Sequence, residues 1–267
     1  MLLGWAKELG CNFVRLAHYP HNENMIRVAD ELGIMVWSEI PVYWTIQWKN
    51  EETFKNAQTQ LTDEITRDKN RASVIIWSVA NETPVSPERT DFLKRMILTA
   101  HQLDPVRLVS AALERKAKPG SVNVQVVDDP LQEYVDIISF NEYIGWYEGL
   151  PEKCKTAAFE IKFDKPVMIS EFGGDALAGN HGSKDARWTE EFQEDLFKES
   201  VNMLEKIPQL RGMTPWILAD FRSPRRLLPD IQDGWNRKGL VSQTGDKKKA
   251  FFVLQNYYKL KKSQFEK

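Results

Sequence analysis

Ser73-Val74-Ile75-Ile76-Trp77-Ser78-Val79 is a run of β-branched and aromatic residues that passes straight into Ala80-Asn81-Glu82. A strand with one wet face alternates polar with apolar side chains. A run that is apolar almost throughout fits a strand buried on both faces, as in a parallel sheet. Similar short runs lie on either side: Phe13 to Leu16 and Ile34 to Trp37 before it, then Arg107 to Ser110, Asp136 to Phe140, Pro166 to Ser170 and Gly212 to Ile217 after it. Pro215 weakens the last as a strand, because proline donates no ladder hydrogen bond.

Helical patterns separate these runs. Asn22 opens NENMIRVADELG, with Met25, Val28, Ala29 and Leu32 on one face and Gly33 as the stop. Glu51 to Arg67 carries Phe54, Ala57, Leu61 and Ile65 at helical spacing. Ser86-Pro87-Glu88 is a helix start with a capping hydroxyl and a proline in the first turn. Thr189 to Ile207 and Lys248 to Leu260 predict two more helices, and Leu2 to Gly10 opens the chain in another.

Alternation of strand and helix means an α/β fold with a parallel sheet. The 267 residues suit one TIM (β/α)8-type barrel, read as a single domain over 1–267. A closed barrel needs eight strands and the sequence offers seven. The absent first strand would precede residue 1, which predicts the C-terminal part of a longer polypeptide. The loop from Arg222 to Arg237 is long enough to expect a functional role.

Composition narrows the function. Lys plus Arg number 36 against 38 Asp plus Glu, a formal charge of −2, which gives no reason to expect nucleic acid or an anionic membrane surface as a partner. No apolar run is long enough to span a bilayer. Cys11 and Cys154 make no disulfide framework and are expected as free thiols. Metal-ligand and nucleotide motifs are lacking, so no metal or nucleotide cofactor is expected.

Catalytic groups of such barrels sit where strands end and loops begin. Glu82 follows the strand at Ser73, and Glu171 follows Pro166-Val167-Met168-Ile169-Ser170. Counting the absent strand, they fall on strands four and seven, on opposite sides of one cavity. Two facing carboxyls are the equipment of glycoside hydrolysis: one donates a proton to the leaving oxygen, the other attacks the anomeric carbon. Singly, each is more readily a solvated loop carboxylate; together with the aromatics and Asn81 they make the case.

Three strings then carry a resemblance: Arg15-Leu16-Ala17-His18-Tyr19-Pro20, IIWSVANE ending at Glu82, and MISEFG around Glu171. In order, over almost the whole chain, they resemble glycoside hydrolase family 2, the β-galactosidase, β-glucuronidase and β-mannosidase group. The resemblance implies a retaining mechanism with Glu82 as acid/base and Glu171 as nucleophile. Within the family the sequence looks most like the β-glucuronidases. Asn141-Glu142-Tyr143-Ile144-Gly145-Trp146-Tyr147, Asp175 to Gly179, Trp188 to Gln193 and Trp216 to Phe221 are each similar to segments of those enzymes. Asn236-Arg237-Lys238 matches the Asn-x-Lys pair that holds a glucuronate carboxylate. A fixed cation with a donor beside it is what a charged C6 group requires, and such a site rejects neutral sugars.

Asn81 is expected to hydrogen-bond the sugar 2-hydroxyl, with a turn asparagine as the alternative. Arg15 and His18 are expected to orient Glu171 and line the site, His18 being equally readable as a structural histidine. Tyr143 is expected to donate to the nucleophile and Trp216 to form a sugar platform. Asn141 and Tyr147 are expected among the substrate-binding residues, with Tyr147, like Trp146, also readable as core. Arg222, Arg225 and Arg226 either help hold an acidic substrate or form a solvated patch. Glu39 is expected as the structural partner of an arginine, and His101 and His181 as surface residues. The expected partner is a β-glucuronide or related carbohydrate, with a homo-oligomer open to the full-length protein. The alternatives are a family 2 β-galacturonidase or β-galactosidase, or an inactive carbohydrate-binding fragment. The family's β-sandwich domains, which precede the barrel and bring one further acid near the sugar, have no counterpart in the sequence.

Overall fold

The computed structural model describes residues 1–265. Seven parallel strands form one sheet in sequence order: β1 (Phe13–Leu16), β2 (Met35–Glu39), β3 (Val74–Asn81), β4 (Leu108–Leu113), β5 (Ile138–Asn141), β6 (Val167–Glu171) and β7 (Leu210–Met213). The sheet curls into an incomplete barrel. Arg15, at the end of β1, reaches the carbonyl of Ser170 at the end of β6. Among the described residues β1 and β7 are not paired with each other.

Helices cover the outer face: α1 (Leu2–Leu9), α2 (Glu23–Leu32), α3 (Glu51–Asp68), α4 (Pro87–Leu103), α5 (Glu190–Leu204) and α6 (Lys249–Phe265). Their ends follow the sequence. Asn22, Asn50, Ser86 and Thr189 each accept a backbone N–H of the first turn, and Gly10 and Gly33 close α1 and α2 in the left-handed conformation. α4 buries Phe92, Leu93, Met96, Ile97 and Ala100; each of the larger side chains contributes about 1.5–3 kcal/mol. α1 meets α6 where Gln255 donates to the Glu8 carbonyl at 2.9 Å, so the first and last helices touch across the unclosed side.

The structure corrects the sequence reading in three places. The last strand ends at Met213, before Pro215, rather than covering Gly212 to Ile217. The two crossovers around β5 hold no α-helix. They carry short helical turns, Pro130–Glu133 and Pro151–Lys155, and a side sheet of Lys116–Ala117, Val124–Val127 and Ala158–Ile161. The long loop is a hairpin, its base formed by Phe221–Arg222 against Trp235–Asn236. No described helix is long and apolar enough to cross a membrane.

Candidate active site

The carboxyl ends of β1, β2, β3, β5 and β6 converge on Glu171. This side chain ends β6 and is buried. Its Oε1 accepts Arg15 Nη1 at 2.8 Å and its Oε2 accepts the Tyr143 hydroxyl at 2.7 Å; His18 Nε2 stands 3.7 Å away. Burial pushes the Glu171 carboxyl above its ordinary range, with a contribution from the charge of Glu82, while Arg15, His18 and Tyr143 pull it back. Tyr143, in turn, is held well above the usual phenol range by burial and by Glu171, so it remains a donor.

Arg15 is the hub beneath Glu171. It donates to Glu171, to both oxygens of Glu39 at 2.9 and 3.1 Å, and to Asn81 Oδ1 at 2.8 Å. Glu39 also accepts from Trp37 Nε1 and the Ser78 hydroxyl, and lies 2.8 Å from His18 Nδ1. Burial opposes its ionisation, but Arg15, His18 and Ser78 outweigh burial and hold its pKa below the ordinary value. This third acid is therefore the arginine partner that the sequence suggested.

Glu82 sits one residue beyond β3 with φ at +47°. For a residue other than glycine that conformation is strained, and it persists where surrounding structure holds it. The holding groups are visible. The Glu82 N–H donates to the Ala112 carbonyl at 3.0 Å. The next residue, Thr83, accepts Arg89 Nε at 2.8 Å, and Arg89 forms a fully buried two-bond pair with Asp129 at 2.7 and 2.8 Å. The Glu82 carboxylate accepts Trp44 Nε1 at 3.3 Å. It lines a cleft of about 250 Å³ with Glu114, Arg115, Asn141, Tyr143, Tyr147 and Glu148.

The asparagines occupy register shifts in the sheet, Asn81 between β3 and β4 and Asn141 between β5 and β6. Asn141 Nδ2 donates to Asn81 Oδ1 at 3.1 Å, and Asn141 Oδ1 accepts the Ser170 hydroxyl at 2.7 Å. Asn81 Nδ2 has no partner among the described residues. Trp216 lies beyond β7 and stacks on the His18 ring at 5.0 Å.

Lys238 is 1% exposed. Its ammonium donates to Asp175 Oδ2 at 2.5 Å and to the Tyr147 hydroxyl at 2.9 Å. Asn236 Oδ1 accepts the Lys238 N–H at 3.0 Å and so fixes the backbone that carries the lysine. Arg226 Nη2 approaches the same Tyr147 hydroxyl at 3.3 Å. Of the basic cluster only Arg226 reaches this place; Arg222 lies over the Trp235 ring, 5.3 Å from its centroid. Trp146 is core, against Trp188 and Phe192. His101 and His181 sit at the surface beside Asp136 and Glu191. Cys11 and Cys154 are both free.

The family model of the glycosyl hydrolases family 2 TIM barrel domain matches residues 3–262. The chain belongs to glycosyl hydrolase family 2. Among curated relatives of this family 2 barrel is a β-glucuronidase of Streptococcus agalactiae, 31% identical over 98% of the chain and 48% of the relative. The chain thus spans about half the length of the relative it matches. Among solved structures it is similar to a Bifidobacterium dentium β-glucuronidase complexed with coumarin-3-O-glucuronide, at 26% identity and a TM-score of 0.78 over 96% of the chain and 42% of that chain. It is also similar to a family 2 β-galacturonidase of Eisenbergiella tayi, at 25% identity and a TM-score of 0.82 over 97% of the chain and 46% of that chain.

Sequence reasoning assigned no role to several site residues of this family 2 barrel. Asp175 could have been sought as the acid that a buried lysine needs, since lysine is almost never fully buried unpaired. Trp44 could have been sought because it follows the end of β2, at the same mouth as Glu82. Glu114, Arg115 and Glu148 fall in the crossovers whose local structure the sequence did not reveal.

Proposed function

We propose that this barrel is the catalytic part of a retaining β-glucuronidase, with Glu171 as nucleophile and Glu82 as general acid/base. The observation that carries the reading is Glu171 itself. It is a buried carboxylate at a strand end, held from one side by a guanidinium and from the other by a phenol. Both groups donate to its charged form and fix its oxygens.

In the first step a Glu171 oxygen bonds to the anomeric carbon as the bond to the leaving oxygen breaks, and Glu82 passes its proton to that oxygen. In the second, Glu82 takes a proton from water, whose oxygen attacks the same carbon and releases Glu171. Arg15 and Tyr143 orient the nucleophile. Asn81, whose amide oxygen is spent on Arg15 and Asn141, keeps its Nδ2 for a sugar hydroxyl. Trp216, stacked on His18, supplies a flat apolar face for the ring.

The acid-sugar reading rests on charge balance around Tyr147. Two cations, Lys238 and Arg226, point at one hydroxyl, and Asp175 neutralises one of them. The surplus positive charge suits a C6 carboxylate, and a neutral sugar leaves it uncompensated. Hydrolysis of an aryl β-D-glucuronide, beside the matching galacturonide and galactoside, tests this with Glu171→Ala as control. Glucuronide turnover that disappears in the variant is the expected result, and Glu82→Gln should lower kcat by about 10²–10⁴. Turnover of the galactoside instead would remove the role given to Lys238 and Arg226. Turnover that survives Glu171→Ala would remove the nucleophile.

A further inference from the structure

The cleft beside Glu82 holds three acids, and two have evident occupations. Glu82 carries the transferred proton in the reading above. Glu148 is paired with Arg115, whose Nε also donates to the Asn141 carbonyl at 3.0 Å. Glu114 is the third. Its carboxylate has no hydrogen bond and no ion pair among the described residues, yet it lines the cleft and is only half-buried. Its backbone is fixed, because the Glu114 N–H donates to Asp129 Oδ2 at 3.2 Å. Asp129 is the partner of Arg89, which also holds Thr83 beside Glu82. One buried pair therefore sets both the strand-end turn that presents Glu82 and the turn that presents Glu114.

A leaving group must lie against the acid that protonates it. Whatever is attached to the scissile oxygen at Glu82 thus meets the surroundings of Glu82, and these are not neutral. Arg115 is engaged by Glu148, which leaves the Glu114 carboxylate with no ion-pair partner in the cleft among the described residues. Trp44, 54% exposed, donates to Glu82 and offers an aromatic face beside it. We infer that Glu114 is a specificity-determining residue of the leaving-group site, and that it selects aromatic leaving groups bearing a cation over those bearing an anion. This rests on the glycosidase reading of Glu82 and goes beyond it, since that reading concerns the sugar and says nothing of what is released.

The charge that does the selecting also titrates. Burial and the neighbouring Glu82 raise the Glu114 carboxyl above its ordinary range, Asp129 adds to the rise, and Arg89 and Arg115 oppose it. The preference is therefore present above that raised pKa and fades as pH falls through it.

Binding tests the inference without turnover. Glu171→Gln protein is titrated with three aryl β-D-glucuronides carrying a 4-aminomethyl, a 4-methyl or a 4-carboxylate substituent, and Kd is read by calorimetry. The cationic ligand should bind at least about tenfold more tightly than the anionic one at low salt, the order expected for one partly screened charge contact. In Glu114→Gln/Glu171→Gln protein that ratio should collapse toward one. In Glu114→Asp/Glu171→Gln protein, where the charge is kept, it should persist, and in the single variant it should shrink on acidification. A ratio unchanged by Glu114→Gln overturns the inference and leaves the sugar reading intact. Failure of all three ligands to bind the single variant, the neutral one included, overturns the sugar reading and the inference with it.

Discussion

A carboxyl buried with no cation bonded to it holds its proton more tightly, and Glu142 is such a group. It is fully buried between Asn141 and Tyr143. One oxygen accepts the Ile144 N–H at 2.9 Å, and the other has no partner. Burial raises its pKa from 4.5 to about 7. The unfolded chain therefore releases this proton first as pH rises, so stability falls between the two values and levels off above the higher one. Glu142→Gln removes that dependence. Urea melts from pH 4.5 to 8 should show the variant gaining on the parent by on the order of 3 kcal/mol across the window. Equal slopes in the two proteins would mean that Glu142 ionises freely. At this scale the sequence was informative about identity and silent about partnership. Glu171 ends its strand and Tyr143 donates to it, but nothing local reveals that Lys238 is paired with Asp175, 63 positions earlier.

Elements were legible where burial left a periodic trace. β2 to β6 are apolar because both faces are largely covered, and the capped helices announce their own starts. β7 was read too far downstream: Thr214 and Trp216 still donate to the Ile169 and Phe172 carbonyls at 2.8 and 2.9 Å, but Pro215 between them has no N–H to give, and the strand ends at Met213. The side sheet left no trace, since strands of two to four residues with exposed faces carry too little pattern. The segment after Trp216 is built on close backbone approach. A Cβ at Gly239 would lie 2.2 Å from the Asp220 N and 2.5 Å from the Val241 O. Both are backbone atoms and cannot yield as a flexible side chain would. Gly239→Ala should cost roughly 1–3 kcal/mol in a denaturant melt, as overpacking does. It should also weaken acid-sugar binding, because Lys238 is the adjacent residue. A variant with parental stability would show that this segment is softer than its contacts indicate.

Across the whole molecule, the curl of the sheet is fastened from within by one side chain. Arg15 joins the end of β1 to Glu39 on β2, Asn81 on β3 and Glu171 on β6. Its contact with Glu171 spans 156 positions and closes over the side where β1 and β7 do not pair. Sequence reading placed Arg15 near Glu171 but could not see this fastening, which exists only once the sheet has bent. The arrangement sets a test that separates packing from charge. Arg15→Met keeps an unbranched apolar stem but leaves Glu39 and Glu171 buried without their cation, a loss of about 3–5 kcal/mol. Adding Glu39→Gln removes one of the two orphaned charges and should recover part of that loss. The double variant should still fail in catalysis, because Glu171 would remain unoriented and harder to ionise. Denaturant melts of the parent, both single variants and the double variant give the coupling between the two sites. Additive losses would show that Arg15 acts through its packing against Trp37, whose ring lies 5.5 Å from the guanidinium. Recovery of stability without recovery of turnover would place its role in holding Glu39 and Glu171 charged beside one another.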